Sequence, residues 1–287
     1  MKKFIFVLSL FFSINSFVVY ANDNLLLSKN WMQKATPLMV AKAIIDGANI
    51  KGVDRVGRTP LMYAAAFNQN PEVIETLIKL GADVKEKNTW GWTPLFWASG
   101  YNKNPKIIET LIKYGEDIEE RAKNGSTPLL VAACQNSKMV KTLIKYGADV
   151  NVRNQNDETS LLCAVAYAED PEVIKILIKR GADINARNSR DETTLMCAAG
   201  SNSNPEIIKL LIKNGADVNE KNIWGQTALF FAAQNSSEPK IIETLIKYGA
   251  DAKVKDSRGR TALDYAEEEP YIYGRDAYWL LYDKVHE

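Results

Sequence analysis

Two short sequence marks recur along this 287-residue chain at an almost constant spacing. One is a Gly-[Ala/Glu]-[Asp/Asn] tripeptide, which begins at Gly47, Gly81, Gly115, Gly147, Gly181, Gly215 and Gly249. The other is a threonine that opens an apolar run, at Thr59, Thr93, Thr127, Thr159, Thr193, Thr227 and Thr261. Successive marks are 34 residues apart, except for one interval of 32. Such a period is typical of repeat proteins, in which each repeat is one supersecondary unit stacked on its neighbours.

Residues 59–81 illustrate the structure predicted for one repeat. Thr59 and Pro60 form a helix start, because threonine caps a helix and proline fits its first turn. Asn70 and Pro71 repeat this signal, and an apolar stripe at helical spacing follows. Gly81 then ends the second helix. The sequence therefore predicts two short helices in each repeat.

These segments resemble the ankyrin-repeat family, as shown by Thr-Pro-Leu-Leu-Val-Ala-Ala at 127–133 and Gly-Ala-Asp-Val-Asn at 147–151. The resemblance covers about residues 25–285. It implies an all-α ankyrin-repeat solenoid, built of helix-turn-helix units linked by β-hairpin-like loops. It also implies a concave surface of first helices and hairpin tips that binds another protein. The chain departs from the family pattern where Asp157 and Asp191 replace the turn glycine.

The chain is predicted to have four segments. Residues 1–21 have the order of a secretory signal peptide: Lys2 and Lys3, an apolar stretch at Phe4–Phe12, and Ala21 before a polar segment. Residues 22–52 are predicted to form an N-terminal capping repeat, residues 53–260 the repeat array and residues 261–287 a C-terminal capping repeat, because both ends of a stack must be shielded from water.

The leader predicts export to the periplasm or the extracellular space, with cleavage after Ala21 and no stable membrane span afterwards. An uncleaved membrane anchor is the alternative. The formal charge of +1 gives no general attraction to polyanions. No nucleic-acid partner is expected, because export removes the opportunity to meet one. We expect a monomer.

The sequence contains few candidate catalytic residues. The one histidine, His286, lies next to the C-terminus, which argues against a catalytic triad or a histidine-rich zinc site. Acidic residues at Asp157, Glu158, Asp191 and Glu192 could bind Ca²⁺, but neighbouring arginines would compete with the metal. The three cysteines, Cys134, Cys163 and Cys197, are predicted to be small buried hydrophobes, not a redox pair. We therefore predict no catalysis, no metal and no cofactor.

Aromatic residues at the first helices and at the hairpin tips are the candidate partner-binding residues, because tryptophan and tyrosine dominate binding hot spots. They are Tyr63, Phe67, Trp90, Trp92, Trp97, Tyr101, Tyr167, Trp224 and Phe231. A turn would expose Trp90 and Trp92, whereas core packing is a serious alternative for Tyr63, Trp97 and Phe231.

A cation also occupies one position just before each hairpin tip. These residues, the cation ladder, are Lys87, Arg121, Arg153, Arg187, Lys221 and Lys255. Such a row could bind an anionic polymer or an envelope component. Acidic residues lie beside it, so a self-neutralising edge is the other interpretation. The main functional hypothesis is an exported protein-binding scaffold, and a polyanion binder is the alternative.

Overall fold

A computed structural model describes residues 25–168, 170–235 and 238–287, and in these ranges it is all-helical, with sixteen α-helices and no β-strand. A 3₁₀ turn at Leu25–Leu27 precedes the first α-helix. The helices are α1 Lys29–Met32, α2 Pro37–Ile45, α3 Pro60–Phe67, α4 Pro71–Lys79, α5 Pro94–Tyr101, α6 Pro105–Lys113, α7 Pro128–Gln135, α8 Ser137–Lys145, α9 Ser160–Tyr167, α10 Pro171–Lys179, α11 Thr194–Ser201, α12 Pro205–Lys213, α13 Ala228–Asn235, α14 Lys240–Lys247, α15 Ala262–Glu268 and α16 Asp276–His286. The predicted all-α repeat, with two helices per unit, is confirmed.

The chain divides into two compact units. The described part of the N-terminal unit consists of residues 25–98 and Lys106–Glu116, and the C-terminal unit consists of Ser99–Pro105 and the described residues from Asp117 onwards. No helix in the described ranges has both the length and the apolar character that a bilayer span requires. The predicted signal peptide lies outside the described residues.

The helix ends lie where the recurring marks predict them. The side-chain oxygen of Thr59 accepts a hydrogen bond from Met62 N, and Asn70 accepts one from Glu72 N. Such caps satisfy amide groups that have no partner inside the helix. At the other end, Gly81 has a φ of 106°, a left-handed conformation that suits glycine and stops α4.

The apolar stripes of the second helices face inward. Val73, Ile74 and Leu77 of α4 are completely buried in the N-terminal unit, and Ile174 and Leu177 of α10 are completely buried in the C-terminal unit. Their burial supplies the main driving force for stacking helix pairs.

Six of the tight turns between repeats are organised by one Asn or Asp side chain. Asn154 Oδ1 accepts hydrogen bonds from Asn156 N and Glu158 N, while Asn154 N donates to Glu158 O. The same side-chain arrangement occurs at Asp54, Asn88, Asn188, Asn222 and Asp256. This side-chain bond fixes these six hairpins without a β-ladder, whereas Ala122 occupies the position in the third hairpin and donates its backbone N–H to Ser126 O.

Asp157 and Asp191, which stand where other repeats have glycine, keep the left-handed turn with φ values of 58° and 60°. A side chain in this region is strained, although aspartate tolerates it better than most residues.

Asp157→Gly should therefore raise the free energy of unfolding by up to about 1 kcal/mol, because the gain from relieved strain exceeds the added chain entropy of glycine. Urea denaturation followed by circular dichroism measures the change. Asp157→Val is the matched opposite variant and should lower stability by about 1 to 2 kcal/mol, since a β-branched residue fits this conformation poorly. A valine variant as stable as the wild type would contradict the left-handed conformation assigned to residue 157.

Candidate functional site

The structure separates the nine predicted partner-binding aromatics by exposure. Tyr63 and Trp97 are buried, as the core-packing alternative predicts. Phe67, Trp92 and Phe231 are half-buried. The exposed residues are Trp90, Tyr101, Tyr167 and Trp224. A turn position thus exposes Trp90 but only half-exposes Trp92, and the use of any of them in binding stays a prediction.

Four aromatic rings form a cluster at one hairpin of the N-terminal unit, which we call the tryptophan cluster: Trp90, Trp92, Phe96 and Trp97. The Trp92 ring stacks on Phe96 with a centroid separation of 5.6 Å and meets Trp97 edge-on at 5.2 Å. Trp90 lies 6.2 Å from Trp92 and 6.3 Å from Trp97 between centroids. These contacts fix the Trp90 ring while 48% of the residue remains exposed.

A charged group supports the tryptophan cluster from the preceding hairpin. The Arg58 guanidinium lies 4.9 Å from the Tyr63 ring centroid and 5.3 Å from that of Trp97. Asp54 pairs with Arg58 and accepts a hydrogen bond of 3.1 Å from the Tyr63 hydroxyl. Burial opposes ionisation of Asp54, but hydrogen bonds from Arg58, Val56 and Tyr63 outweigh it and lower the pKa of this carboxyl.

The same three residue types recur at the other end of the repeats, as Asp256, Arg260 and Tyr265. The Tyr265 hydroxyl donates to Asp256 at 2.7 Å, and the Arg260 guanidinium lies 3.8 Å from the Tyr265 ring centroid. The sequence signal that could have found both groups is an Asp followed by Arg four residues later and Tyr nine residues later. Trp224 lies beside this second group, lining a cleft of about 240 Å³ with Arg258.

A larger cleft of about 470 Å³ lies in the C-terminal unit, among α9, α11, α13 and the hairpins before them. It brings together two predicted aromatics, Tyr167 and Phe231, with Glu158. Tyr101 does not line it. Burial, followed by the neighbouring thiols and the Glu158 carboxylate, raises the pKa of Tyr167.

The arginines of the cation ladder hold successive hairpins together. Arg121 Nη1 donates to Arg153 O at 3.0 Å, and Arg153 Nη1 donates to Arg187 O at 2.7 Å. Arg187 Nη1 donates to Lys221 O at 3.1 Å, and its Nη2 pairs with Glu220. These donors are already engaged within the chain, which weakens the case for a polyanion site. The polyanion-binding role of the ladder stays a prediction.

All three cysteines are free thiols, and Cys163 is buried as predicted, whereas Cys134 and Cys197 are only half-buried, contrary to the prediction. A hydrogen bond with Cys134 and burial raise the pKa of Cys163 far above its usual range. Burial, followed by the charge of Glu192, raises the pKa of Cys197 to about 12.

We therefore expect iodoacetamide at pH 8 to modify at most one thiol of the folded protein and all three in urea, because the thiolate is the reactive form. Intact-mass spectrometry counts the adducts. Cys197→Ser should leave the number of adducts on the folded protein unchanged. Rapid labelling of Cys197 in the folded state would contradict its raised pKa.

Comparison with known proteins identifies the repeat. A family model described as ankyrin repeats (3 copies) matches residues 24–122, 99–188 and 195–285. Among solved structures, the chain is similar to the crystal structure of the human ASB11 ankyrin repeat domain. The two share 26% sequence identity with a TM-score of 0.66, over 78% of this chain and 98% of that chain. Comparison with curated proteins gives no match.

Proposed function

Because the chain belongs to the ankyrin-repeat family, whose arrays generally serve as protein-binding scaffolds, we propose that it is an exported, monomeric, non-catalytic scaffold that binds another protein. The proposed contact surface comprises the exposed aromatics at the hairpin tips and on the first helices. The one histidine of the chain is already engaged: the His286 ring stacks on Tyr282 and bonds to the Tyr282 carbonyl oxygen on the last helix. This arrangement supports a non-catalytic role.

The observation that carries the proposal is the exposure of Trp90. This large aromatic side chain is 48% exposed at a hairpin tip, although two further tryptophans lie beside it. Residues with a large apolar area and a polar group dominate the binding energy of protein interfaces. An exposed tryptophan held in place is therefore suited to be an anchor for a partner.

Preorganisation of the hairpin strengthens this argument. Asn88 Oδ1 accepts hydrogen bonds of 2.9 Å from both Trp90 N and Trp92 N. The rings of the tryptophan cluster further restrict the rotamers of Trp90. Binding then costs little conformational entropy, because the side chain is already ordered before the partner arrives.

Trp90→Ala should weaken binding of the natural partner at least about tenfold, the loss expected for a hot-spot residue, while changing stability by less than about 1 kcal/mol. The partner is first identified by cross-linking in the native compartment and mass spectrometry, and its affinity is then measured by calorimetry.

Trp279→Ala is the matched control, because Trp279 is exposed to a similar extent on the last helix and lies outside the tryptophan cluster. It should leave the affinity unchanged. Equal affinities of the wild type and Trp90→Ala would contradict the proposed anchor.

Salt dependence separates this function from the alternative, an anionic polymer or envelope component bound by the cation ladder. A polyanion complex loses affinity steeply with ionic strength, whereas an aromatic anchor responds weakly. The hydrogen bonds of the ladder arginines to backbone carbonyl groups count against the polyanion alternative.

The proposed export rests on the sequence of residues 1–21. Cell fractionation with N-terminal sequencing tests it. We expect a mature chain that starts at Asn22 in the periplasm or the medium, whereas a chain retained in the cytoplasm with Met1 intact would contradict it.

A further inference from the structure

The cleft among α9, α11 and α13 of the C-terminal unit has features that the general scaffold function does not explain. Its volume of about 470 Å³ is large enough for several side chains of a bound segment. Charged, aromatic and amide groups all line it. Their arrangement indicates the chemistry of the ligand.

The charges lining the cleft leave one carboxylate without a counter-ion. Arg190 and Glu192 neutralise each other through a contact of 3.1 Å, and Glu192 is 6% exposed. Glu158 occupies the same repeat position but has no cation within ion-pair distance among the described residues. Its one side-chain hydrogen bond comes from Asn154 Nδ2 at 2.7 Å. The cleft therefore carries an unneutralised negative charge.

Aromatic surface lies next to this charge. Tyr167 lines the cleft and is 67% exposed. Phe231 contributes a half-buried ring, which packs over Gly200 so closely that an added Cβ would lie 3.3 Å from its Cβ and Cδ1 atoms. A carboxylate beside aromatic rings is the combination that attracts a cation on an alkyl stem, because the rings accept both the charge and the methylene groups.

Two side-chain amides also line the cleft. Gln234 and Asn235 lie at the end of α13, both are exposed, and neither side chain makes a hydrogen bond to another described residue. Each amide has donors and an acceptor that match the backbone groups of an extended peptide.

We propose that this cleft binds an extended, basic peptide segment of the partner. One Lys or Arg side chain enters the cleft, its cation pairs with Glu158, and its stem lies against Tyr167. Gln234 and Asn235 bond to the backbone of the segment. This inference rests on the proposed protein-binding function and names the partner chemistry at a second site, remote in sequence from Trp90.

The experiment uses the full chain and a random decapeptide display library. Peptides selected by the wild-type protein should contain Lys or Arg at one position at several times the input frequency. Glu158→Gln should weaken a selected peptide about tenfold, since it removes the charge but keeps an acceptor for Asn154. Tyr167→Leu should weaken it about two- to fivefold, the range for an exposed cation–π contact.

Glu206→Gln is the charge-matched control, because Glu206 lies on α12, is exposed and pairs with Lys209 instead of lining the cleft. It should bind the peptide as the wild type does, and circular dichroism should show that all variants are folded. Selected peptides without Lys or Arg, no selected peptide at all, or equal affinities of the wild type and Glu158→Gln would overturn the proposal. Trp90→Ala should keep peptide binding, so failure here is distinguishable from failure of the proposed anchor.

Discussion

Phe230→Ala should lower the free energy of unfolding by about 3 to 5 kcal/mol, the usual cost of removing a buried phenylalanine. Phe230 lies in α13 and is 1% exposed. Its ring meets Tyr265 edge-on at a centroid separation of 5.8 Å. Alanine would leave a cavity between helices whose backbones are held by several other contacts, so the surroundings cannot collapse fully. Urea denaturation followed by circular dichroism measures the loss.

The next residue along the chain provides the matched control. Phe231 has the same side chain but is half-buried and lines the cleft of the C-terminal unit. Phe231→Ala should therefore cost clearly less stability than Phe230→Ala. Equal losses of unfolding free energy for the two variants would contradict the orientation of α13, which buries Phe230 and leaves Phe231 half-buried.

Asn202→Ala should lower the free energy of unfolding by about 2 to 4 kcal/mol, because it leaves several buried polar groups without partners. Asn202 Nδ2 donates to Val165 O at 2.9 Å and to Ala168 O at 3.0 Å, both in the preceding repeat. Its Oδ1 accepts a hydrogen bond from Asn204 N. Val165 lies in the last turn of α9, where carbonyl groups have no partner within the helix.

Asn214→Ala serves as the control for this prediction. Asn214 is also an asparagine that donates to a helix carbonyl, that of Leu210, but it is exposed and water can replace it. Its loss should cost less than about 0.5 kcal/mol. A small loss for Asn202→Ala, measured by the same urea denaturation, would mean that water reaches the two carbonyl groups.

The helices could be predicted from the sequence because their ends depend on neighbours a few residues away. Thr59 caps a helix through Met62, and Gly81 ends one through its own φ angle. The hydrogen bonds between repeats could not be predicted in the same way. Arg153 meets the carbonyl of Arg187, and Asn202 meets that of Val165, across more than 30 residues of sequence. The repeat period alone does not predict which donor and acceptor atoms of neighbouring repeats come into contact.

The order of residues along the chain is enough to predict the 34-residue period, the pairing of helices and the aromatic content of the hairpins and first helices. Which of the equivalent residues remain accessible depends instead on how the folded chain packs around them. Phe67 and Tyr167 share one repeat position, yet the first is half-buried and the second is exposed. Glu192 is neutralised by Arg190, whereas Glu158 has Asn156 at the corresponding position and keeps its charge. Exposure and charge pairing depend on side chains from other parts of the chain, and these side chains come into contact only after folding. Two residues at the same repeat position can therefore have different surroundings.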